Sequence, residues 1–193
     1  MKHLLLFLLI ATQVYAQMEP PTNANRYNAF LFGVDYYPEQ WPETLWEQDA
    51  ARMKECGVQV VRIGEFAWSL MEPKEGSFDF ALFDRAIAVM ARHGIKIIFG
   101  TPTATPPKWL TQKYPDVLYS FADRQPANDQ TRRHVNYNSP TYRRLSKRIV
   151  TELARHYQDN PNLVGWQIDN EFNNEDRKST RLNSSHSSVS RMP

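Results

Sequence analysis

The sequence predicts an α/β protein of the (β/α)8 TIM barrel class, with only about the first four β/α units present. Three observations support this prediction. Short apolar segments alternate with amphipathic helical segments, polar and aromatic residues follow each apolar segment, and no glycine-rich turn follows the first one. The alternation indicates parallel strands joined by right-handed crossovers. Polar strand ends are typical of a barrel, whose active site lies at the carboxyl ends of its strands.

The first unit and the start of the second occupy residues 30–64. The strand FLFGVD spans residues 30–35, and the segment WPETLWEQDAARMKECG follows it. Gly57 marks the end of this helix, because glycine readily adopts the left-handed conformation that closes many helices. VQVVRIG at 58–64 is β-branched and predicts the second strand. The apolar face of the helix comprises Trp46, Ala50 and Met53.

The next helix and strand follow the same pattern. Asp79 is expected to cap FALFDRAIAVMARHG, because aspartate is a favoured residue at helix N-termini. Gly94 marks the end of this helix, and IKIIFG at 95–100 predicts the third strand. The apolar face of the helix comprises Phe80, Phe83, Ile87 and Met90.

The last helix and strand follow a long loop. Ser139 and Pro140 are an N-cap and a first helical residue in their preferred places. The fourth strand is LVGWQID at 163–169, and Trp166 inside it is expected to be buried in the core. The apolar side of the helix comprises Leu145, Ile149 and Leu153.

The residues after the strands favour a barrel over a doubly wound nucleotide-binding sheet. A doubly wound sheet needs a glycine-rich phosphate turn after its first strand, whereas this strand continues into VDYYPEQWPE. A full barrel takes about 250 residues and eight strands, so four strands predict a truncated one. The four strand ends carry Asp35-Tyr36-Tyr37, Glu65-Phe66-Ala67-Trp68, Thr101-Pro102-Thr103 and Asp169-Asn170-Glu171.

Both ends of the chain differ in composition from the residues between them. MKHLLLFLLIATQVYA at 1–16 combines a lysine, an apolar run and a small-residue cleavage pattern, which predicts a signal peptide and an exported protein, periplasmic or extracellular. Residues 17–29 form a lead-in, and residues 30–176 form the N-terminal half of the barrel domain. The serine-rich stretch 177–193 lacks acidic and aromatic residues, so it is expected to be disordered. It resembles the translation of sequencing-adaptor DNA and is therefore expected to be an artefact and not part of the natural protein. A genuine polar linker is the alternative.

The charge distribution argues against a nucleic-acid partner. Of the net charge of +2, four positive charges lie at Arg177, Lys178, Arg181 and Arg191 and one at Lys2, which leaves −3 for residues 17–176. A binding face for a phosphate backbone needs a basic patch. The single cysteine, Cys56, excludes an internal disulfide within this chain and is expected to pack as a small hydrophobe. After cleavage of the signal peptide, no association with a membrane is expected.

The segment LVGWQIDNEF ends in an acid, an amide and a second acid. At a barrel's catalytic face, Glu171 is placed to protonate a leaving group and Asn170 to hydrogen-bond a substrate hydroxyl. A helix cap or a solvated loop is the alternative for such residues taken alone. Aromatic rings beside carboxylates suit the flat apolar faces of sugars. Four tryptophans lie at or next to strand ends: Trp41, Trp68, Trp109 and Trp166.

Five segments in order resemble the N-terminal half of a glycoside hydrolase family 42 β-galactosidase. They are FGVDYYPEQWPE, VRIGEFAWSLMEPKEGSFDF, TPTATPPKWL, RRHVNYNSPTYR and GWQIDNEF. The resemblance implies a retaining hydrolase that cleaves terminal non-reducing β-D-galactose from β-galactosides, oligosaccharides or polysaccharides. It further implies that Glu171 is the general acid/base, that Asn170 contacts the galactosyl 2-hydroxyl, and that Arg132 binds the sugar as well. A homotrimer is implied for the full-length protein.

A retaining mechanism needs a second carboxylate about 5 Å from the first. The resemblance implies a nucleophilic glutamate after the seventh strand, beyond this chain. Asp35, Glu65, Glu72 and Asp169 are therefore expected to be scaffolding or salt-bridge partners, with Asp169 pointing to the opposite side of the strand from Asn170. A nucleophilic role for one of these four acids is the disfavoured alternative. The chain by itself is expected to be inactive, since it lacks half of the barrel.

No metal and no cofactor are expected. Many relatives carry a zinc-binding cysteine four residues after the arginine that corresponds to Arg132, whereas this chain has Asn136 there. His134 is then expected to be structural or close to the substrate, because a single histidine without neighbouring ligands is a weak indication of a metal site. Two other functions remain open. One is a related barrel glycosidase acting on another β-linked sugar, such as an arabinopyranoside or a mannoside; the other is a non-catalytic carbohydrate-binding relic.

Overall fold

The computed structural model describes residues 30–119 and 134–171 of the chain. Gly33 begins the larger of two compact units, and the described residues 30–32 belong to the smaller one. The predicted signal peptide, lead-in and tail lie outside the described residues, and so does Arg132. Within the described stretches, no helix combines the length and apolarity that crossing a bilayer requires.

The larger unit is built on a sheet of four parallel strands in sequential order, β1-β2-β3-β4. A doubly wound sheet reverses its strand order at a switch point, whereas a barrel adds each strand beside the previous one. The observed order is therefore that of a barrel. The strands are β1 (Gly33–Asp35), β2 (Val60–Ile63), β3 (Lys96–Gly100) and β4 (Leu163–Gln167).

Within residues 30–119 and 134–171, three long helices connect the strands, as predicted, and two short helices were not predicted. The long ones are α1 (Glu43–Glu55), α3 (Ala81–Arg92) and α5 (Pro140–Tyr157); the short ones are α2 (Trp68–Met71) and α4 (Lys108–Lys113). Helices of four and six residues are too short for a hydrophobic period to reveal. Single 3-10 turns occupy Pro38–Gln40, Pro102–Ala104 and Pro115–Val117.

Three of the four predicted helix ends, at Gly57, Gly94 and Ser139, are confirmed in the structure. Gly57 and Gly94 take left-handed φ angles of 81° and 69°, as residues that close a helix commonly do. Beyond Gly57, the Val58 amide donates to the Met53 carbonyl at 2.9 Å, so it belongs to the helix closure and β2 begins later than predicted. The Ser139 hydroxyl caps its helix as predicted, accepting from the Tyr142 amide at 3.1 Å. Asp79 is one residue too early to be the cap of α3, because Phe80 holds that position; its carboxylate accepts from the Ala81 amide at 2.9 Å.

The hydrophobic core lies between the helices and one face of the sheet. Phe99 on β3 is fully buried. Its ring lies 5.4 Å from that of Phe83 on α3 and 5.0 Å from that of Tyr157 on α5. The predicted apolar side of α5 is buried in this core, at Leu145, Ile149 and Leu153. The other face of the sheet carries Arg62 and Asp35, which lie in register on neighbouring strands and form an ion pair.

The two outer strands depart from the predictions. β1 and β4 are shorter than predicted, because β1 pairs with β2 only over Gly33–Asp35 and β4 ends at Gln167. Trp166 was predicted to be core but is 37% exposed. Its ring stacks on Phe99 at 5.9 Å, and β4 has no second neighbouring strand within the described residues. The Trp166 indole is therefore partly exposed because β4 is an edge strand, although its place within an apolar run predicts burial.

The prediction for Cys56 was also wrong. The residue lies at the C-terminal cap of α1, where its amide donates to the Arg52 carbonyl. Its side chain is exposed rather than packed. Its position just beyond the helix, next to the turn at Gly57, carries it away from the buried face that Trp46 and Ala50 form.

Candidate active site

The residues at the carboxyl ends of the four strands lie at one edge of the sheet, because all four strands are parallel. They form two hydrogen-bonded groups. The first, called the β1–β2 cluster below, comprises Asp35, Tyr37, Arg62 and Glu65. The second, called the β3–β4 cluster, comprises Thr101, Thr103, Gln167, Asp169 and Asn170.

Arg62 holds the β1–β2 cluster together. Its guanidinium donates to Asp35 at 2.7 Å and to Glu65 at 3.0 Å. The Tyr37 hydroxyl donates to the same Glu65 oxygen at 2.8 Å. Burial raises the pKa of Tyr37, and the hydrogen bond to Glu65 raises it further, so the phenol stays a donor. The expectation that Asp35 and Glu65 serve as salt-bridge partners is confirmed.

Glu65 is fully buried, and its charge acts on a second acid, Glu39. Burial raises the pKa of Glu39; a backbone hydrogen bond opposes this shift, and the charge of Glu65 adds to it. Neither Glu65 Oε2 nor Glu39 Oε2 has a hydrogen-bond partner within 30–119 and 134–171. Glu65 and Glu39 therefore each have one buried carboxylate oxygen that makes no hydrogen bond to the described residues.

Gly100 at the end of β3 allows Glu65 to sit directly over the sheet. A methyl group built on Gly100 would lie 2.5 Å from Glu65 Cβ and 2.8 Å from its Cα. Backbone atoms cannot rotate away as the end of a flexible side chain can. The missing side chain at Gly100 therefore determines how closely the ends of β2 and β3 approach each other.

Gly100→Ala is expected to destabilise the protein by about 1–3 kcal/mol, the usual effect of overpacking a well-packed site. Thermal unfolding of the complete protein measures it. Gly165→Ala is the matched control, because a methyl group on Gly165 would meet Ile98 Cγ1 at an ordinary 3.6 Å. Equal melting temperatures for the two variants would contradict the close-packing argument.

Asp169 organises the β3–β4 cluster. Its carboxylate accepts from the Thr103 hydroxyl and from the Asn170 amide, both at 2.6 Å. Its own amide donates to the Thr101 hydroxyl at 2.7 Å. Asp169 is 5% exposed, so these bonds form in a place that excludes water. The expectation that Asp169 alternates with Asn170 across a strand was wrong, because β4 ends at Gln167.

Asn170 and Glu171 follow this anchored residue in a tight turn. Asp169 and Glu171 both have left-handed backbones, with φ of 55° and 49°. Such conformations are uncommon for residues other than glycine and concentrate at functional sites. Glu171 is exposed, and Asn170 is half-buried. The structure thus places the two predicted residues side by side, on a strained turn at the sheet's carboxyl edge.

Helix α5 contacts Thr103, the residue whose hydroxyl donates to Asp169. The Tyr142 hydroxyl donates to the Thr103 carbonyl at 2.8 Å, and Tyr142 is buried. Burial raises the pKa of Tyr142, and the charge of Asp169 adds to the shift. The phenol therefore stays protonated and keeps donating to the loop that carries Thr103.

The interpretation of the tryptophans as sugar-contacting rings is wrong for Trp68, which is buried, and stays a prediction for Trp109, whose side chain is only partly buried. Trp68 is fully buried, and its Nε1 donates to Glu72 at 2.8 Å. The Trp109 Nε1 donates to the Glu72 carbonyl at 2.8 Å. Both indoles therefore hold the loop after β2. Trp41, which is 54% exposed, is free to contact a ligand.

Glu72 is the centre of a third, structural network. It is fully buried and accepts from Trp68, from the Gly76 amide at 2.7 Å and from Arg148 on α5. The ion pair confirms the predicted salt-bridge role of Glu72. Its carboxylate is occupied by these donors, which argues against a nucleophilic role.

Asn136, at the position where the family resemblance implies a zinc-binding cysteine, has a structural role here. Asn136 Oδ1 accepts from the Asn138 amide at 3.0 Å, and the Asn136 amide donates to the Val117 carbonyl at 2.7 Å. His134 is buried, and its carbonyl accepts from the Tyr119 amide at 2.7 Å. Across the described residues, no three His, Cys, Asp or Glu side chains come together as metal ligands. The absence of zinc remains a prediction.

Sequence reasoning missed several residues that shape the site. The clearest are Arg62, Gln167 and Tyr142, each of which contacts a residue that was predicted. A signal was present for two of them: Arg62 interrupts the β-branched run VQVVRIG, and Gln167 interrupts the apolar run LVGWQI. A polar residue within a buried strand needs a partner, and that partner marks a site.

Comparison with known proteins agrees with this geometry. The family model for glycoside hydrolase family 42, described as β-galactosidase, matches residues 35–187. The β-galactosidase BgaH of Haloferax lucentense is 49% identical over 140 residues, 72% of this chain and 21% of that protein. A β-galactosidase of Thermus thermophilus is 47% identical over 142 residues, 74% of this chain and 22% of that protein.

Solved structures give the same result. The crystal structure of a β-galactosidase from the psychrophilic Marinomonas ef1 superimposes with a TM-score of 0.72 at 40% identity, covering 74% of this chain and 22% of that one. A β-galactosidase from the Antarctic haloarchaeon Halorubrum lacusprofundi superimposes with a TM-score of 0.73 at 38% identity, covering 82% of this chain and 25% of that one. These proteins are TIM barrels, which confirms the predicted fold class.

The chain spans about one fifth of the length of the curated relatives that it matches. The matching family model covers most of the chain, including both clusters at the strand ends and the turn that carries Asn170 and Glu171. The chain therefore belongs to glycoside hydrolase family 42.

Proposed function

We propose that the complete protein is a retaining β-galactosidase that releases terminal non-reducing β-D-galactose from β-galactosides. The observation that carries this proposal is the Asn170–Glu171 pair, held on a strained turn at the carboxyl end of β4. Family membership and the printed names of the relatives support the choice of galactose. No cofactor enters the mechanism.

In this mechanism, Glu171 acts as general acid and then as general base. Its carboxyl proton passes to the glycosidic oxygen while a second carboxylate attacks the anomeric carbon and the leaving group departs. The resulting carboxylate of Glu171 then takes a proton from water, which attacks the glycosyl-enzyme ester and releases galactose with retained configuration. Asn170 and Arg132 bind sugar hydroxyls.

The nucleophile is proposed to come from a part of the protein outside this chain. Glu72 and Asp169 are buried and hydrogen-bonded through both carboxylate oxygens. Glu65 is fully buried, with one oxygen bound by Tyr37 and Arg62. These contacts suit acids that hold the site together and support a nucleophile elsewhere. The isolated chain is accordingly expected to be inactive.

The test is hydrolysis of 4-nitrophenyl β-galactoside by the complete protein, expressed from the full coding sequence. We expect turnover, with β-galactose as the first product anomer in a proton NMR time course. A higher kcat/KM on the matching arabinopyranoside or mannoside would change the sugar but keep the reaction class. Galactoside binding without turnover of any of the three substrates would favour the binding relic.

Export and assembly are further parts of the proposal. The sequence of residues 1–16 supports cleavage after Ala16 and release outside the cytoplasm. Mass spectrometry of the secreted protein is expected to find Gln17 at its N-terminus. Light scattering is expected to find three copies in the assembled protein. Retention of residues 1–16 or a monomeric mass would overturn the respective part.

A further inference from the structure

Gln167 contacts the predicted substrate-binding residue Asn170 directly. It is the last residue of β4 and pairs in register with Gly100 on β3. Its Nε2 donates to the Asp169 carbonyl at 2.8 Å and to Asn170 Oδ1 at 3.2 Å. One amide group thus uses both of its hydrogens on the turn that leads to Glu171.

This contact determines which end of the Asn170 amide is available to a ligand. An asparagine side chain has an oxygen that accepts and a nitrogen that donates, and the two ends have the same shape. Gln167 occupies the oxygen of Asn170. Within the described residues, Asn170 Nδ2 makes no hydrogen bond to the protein, so its two hydrogens remain available.

The backbone of the turn has its own supports. The Thr101 hydroxyl accepts from the Asp169 amide, and the Thr103 hydroxyl donates to the Asp169 carboxylate. That carboxylate accepts in turn from the Asn170 amide. These bonds hold the backbone at Asp169 even without the bond from Gln167 to Asn170 Oδ1. The separate effect of that bond is on the orientation of the Asn170 side-chain amide.

We propose that Gln167 is a positioning residue that directs the nitrogen of Asn170 toward the 2-hydroxyl of the bound sugar. The inference rests on the proposed function, because it assigns to this contact a part in recognising the galactoside. A sugar hydroxyl can accept or donate, so an asparagine that rotates freely would offer its oxygen as often as its nitrogen. With Gln167 in place, Asn170 presents a donor.

The test uses Gln167→Glu in the complete protein, because glutamate keeps the shape and lacks both hydrogens. Its carboxylate would face two acceptors, and Asn170 would rotate to donate to it, turning its oxygen toward the sugar. We expect kcat/KM on 4-nitrophenyl β-galactoside to fall about 10- to 100-fold, the range for a hydrogen bond to a charged transition state. On the 2-deoxy analogue the change should stay within about threefold, since the partner hydroxyl is absent. Gln48→Glu, exposed on α1, should leave both values unchanged.

Gln167→Met keeps the side-chain length without introducing a charge, and it replaces Gln167→Glu if that variant does not fold. A double variant with Asn170→Ala adds a second readout: losses that are less than additive on the galactoside support coupling between the two residues. Equal losses on the 2-hydroxy and 2-deoxy substrates, or additive losses, would overturn the positioning role while leaving the proposed function standing. A folded wild type that hydrolyses no galactoside would overturn the proposed function, and this role of Gln167 with it.

Discussion

Glu171→Gln is expected to lower kcat/KM on a β-galactoside with a poor leaving group by about 10²–10⁴-fold, the usual contribution of general acid–base catalysis. Glutamine keeps the shape of the side chain but can neither donate the proton that the leaving oxygen needs nor accept one from water. On 4-nitrophenyl β-galactoside the glycosylation step should lose less, because nitrophenolate leaves without protonation. Steady-state kinetics on lactose and on the nitrophenyl substrate measure the two effects.

Two controls make this result specific. Glu55→Gln, at the exposed C-terminal end of α1, should have wild-type kinetics. Azide should restore turnover of the nitrophenyl substrate by Glu171→Gln, since an anion attacks the glycosyl ester without a general base and yields galactosyl azide. If Glu171→Gln keeps its activity on lactose to within a few-fold, the acid/base assignment is wrong. If azide rescues nothing, Glu171 acts in another way.

Arg148→Met is expected to destabilise the protein by about 3 kcal/mol, because it removes the cation that accompanies a fully buried carboxylate. Glu72 would keep its hydrogen bonds from Trp68 and the Gly76 amide, but its charge would lie unpaired in the interior. Thermal unfolding reports the loss, and hydrogen exchange at the Gly76 amide locates it. Arg144→Met, exposed on the same helix, is the control.

A second substitution tests the cause of this loss. Glu72→Gln removes the buried charge, so the double variant Glu72→Gln with Arg148→Met should be more stable than Arg148→Met alone. If the double variant is the less stable of the two, the destabilisation comes from lost packing of the Arg148 side chain. If Arg148→Met and Arg144→Met melt alike, the ion pair contributes nothing to stability.

The loop that Glu72 holds connects stability to the site. The Glu72 backbone carbonyl accepts from Trp109, which follows β3. The Glu72 carboxylate accepts from Arg148 on α5. These contacts join the loops after β2 and β3 to the helix before β4. Loss of the ion pair should accordingly also lower activity through the mobility of these loops.

Much of this fold could be predicted because its signals are local. Helical spacing identified α1, α3 and α5, and Gly57, Gly94 and Ser139 marked three of their ends. The parallel order of the strands followed from the alternation of elements along the chain. The Asn170–Glu171 pair was predicted from its place after an apolar run and from five segments that resemble one family.

The sequence by itself determined which side of each long helix faces the core, and which polar residues stand at the strand ends. The tertiary structure alone decided how those residues pair. Trp166 is exposed because β4 is an edge strand in the described sheet. Trp68 and Trp109 bind Glu72, and Gln167 orients Asn170 through a bond near the end of β4. The periodicity of apolar residues indicates the direction of a side chain relative to its own backbone. A hydrogen bond between strands depends instead on their register and on how closely the two strands approach each other. At Gly100 that approach is set by the absence of a methyl group.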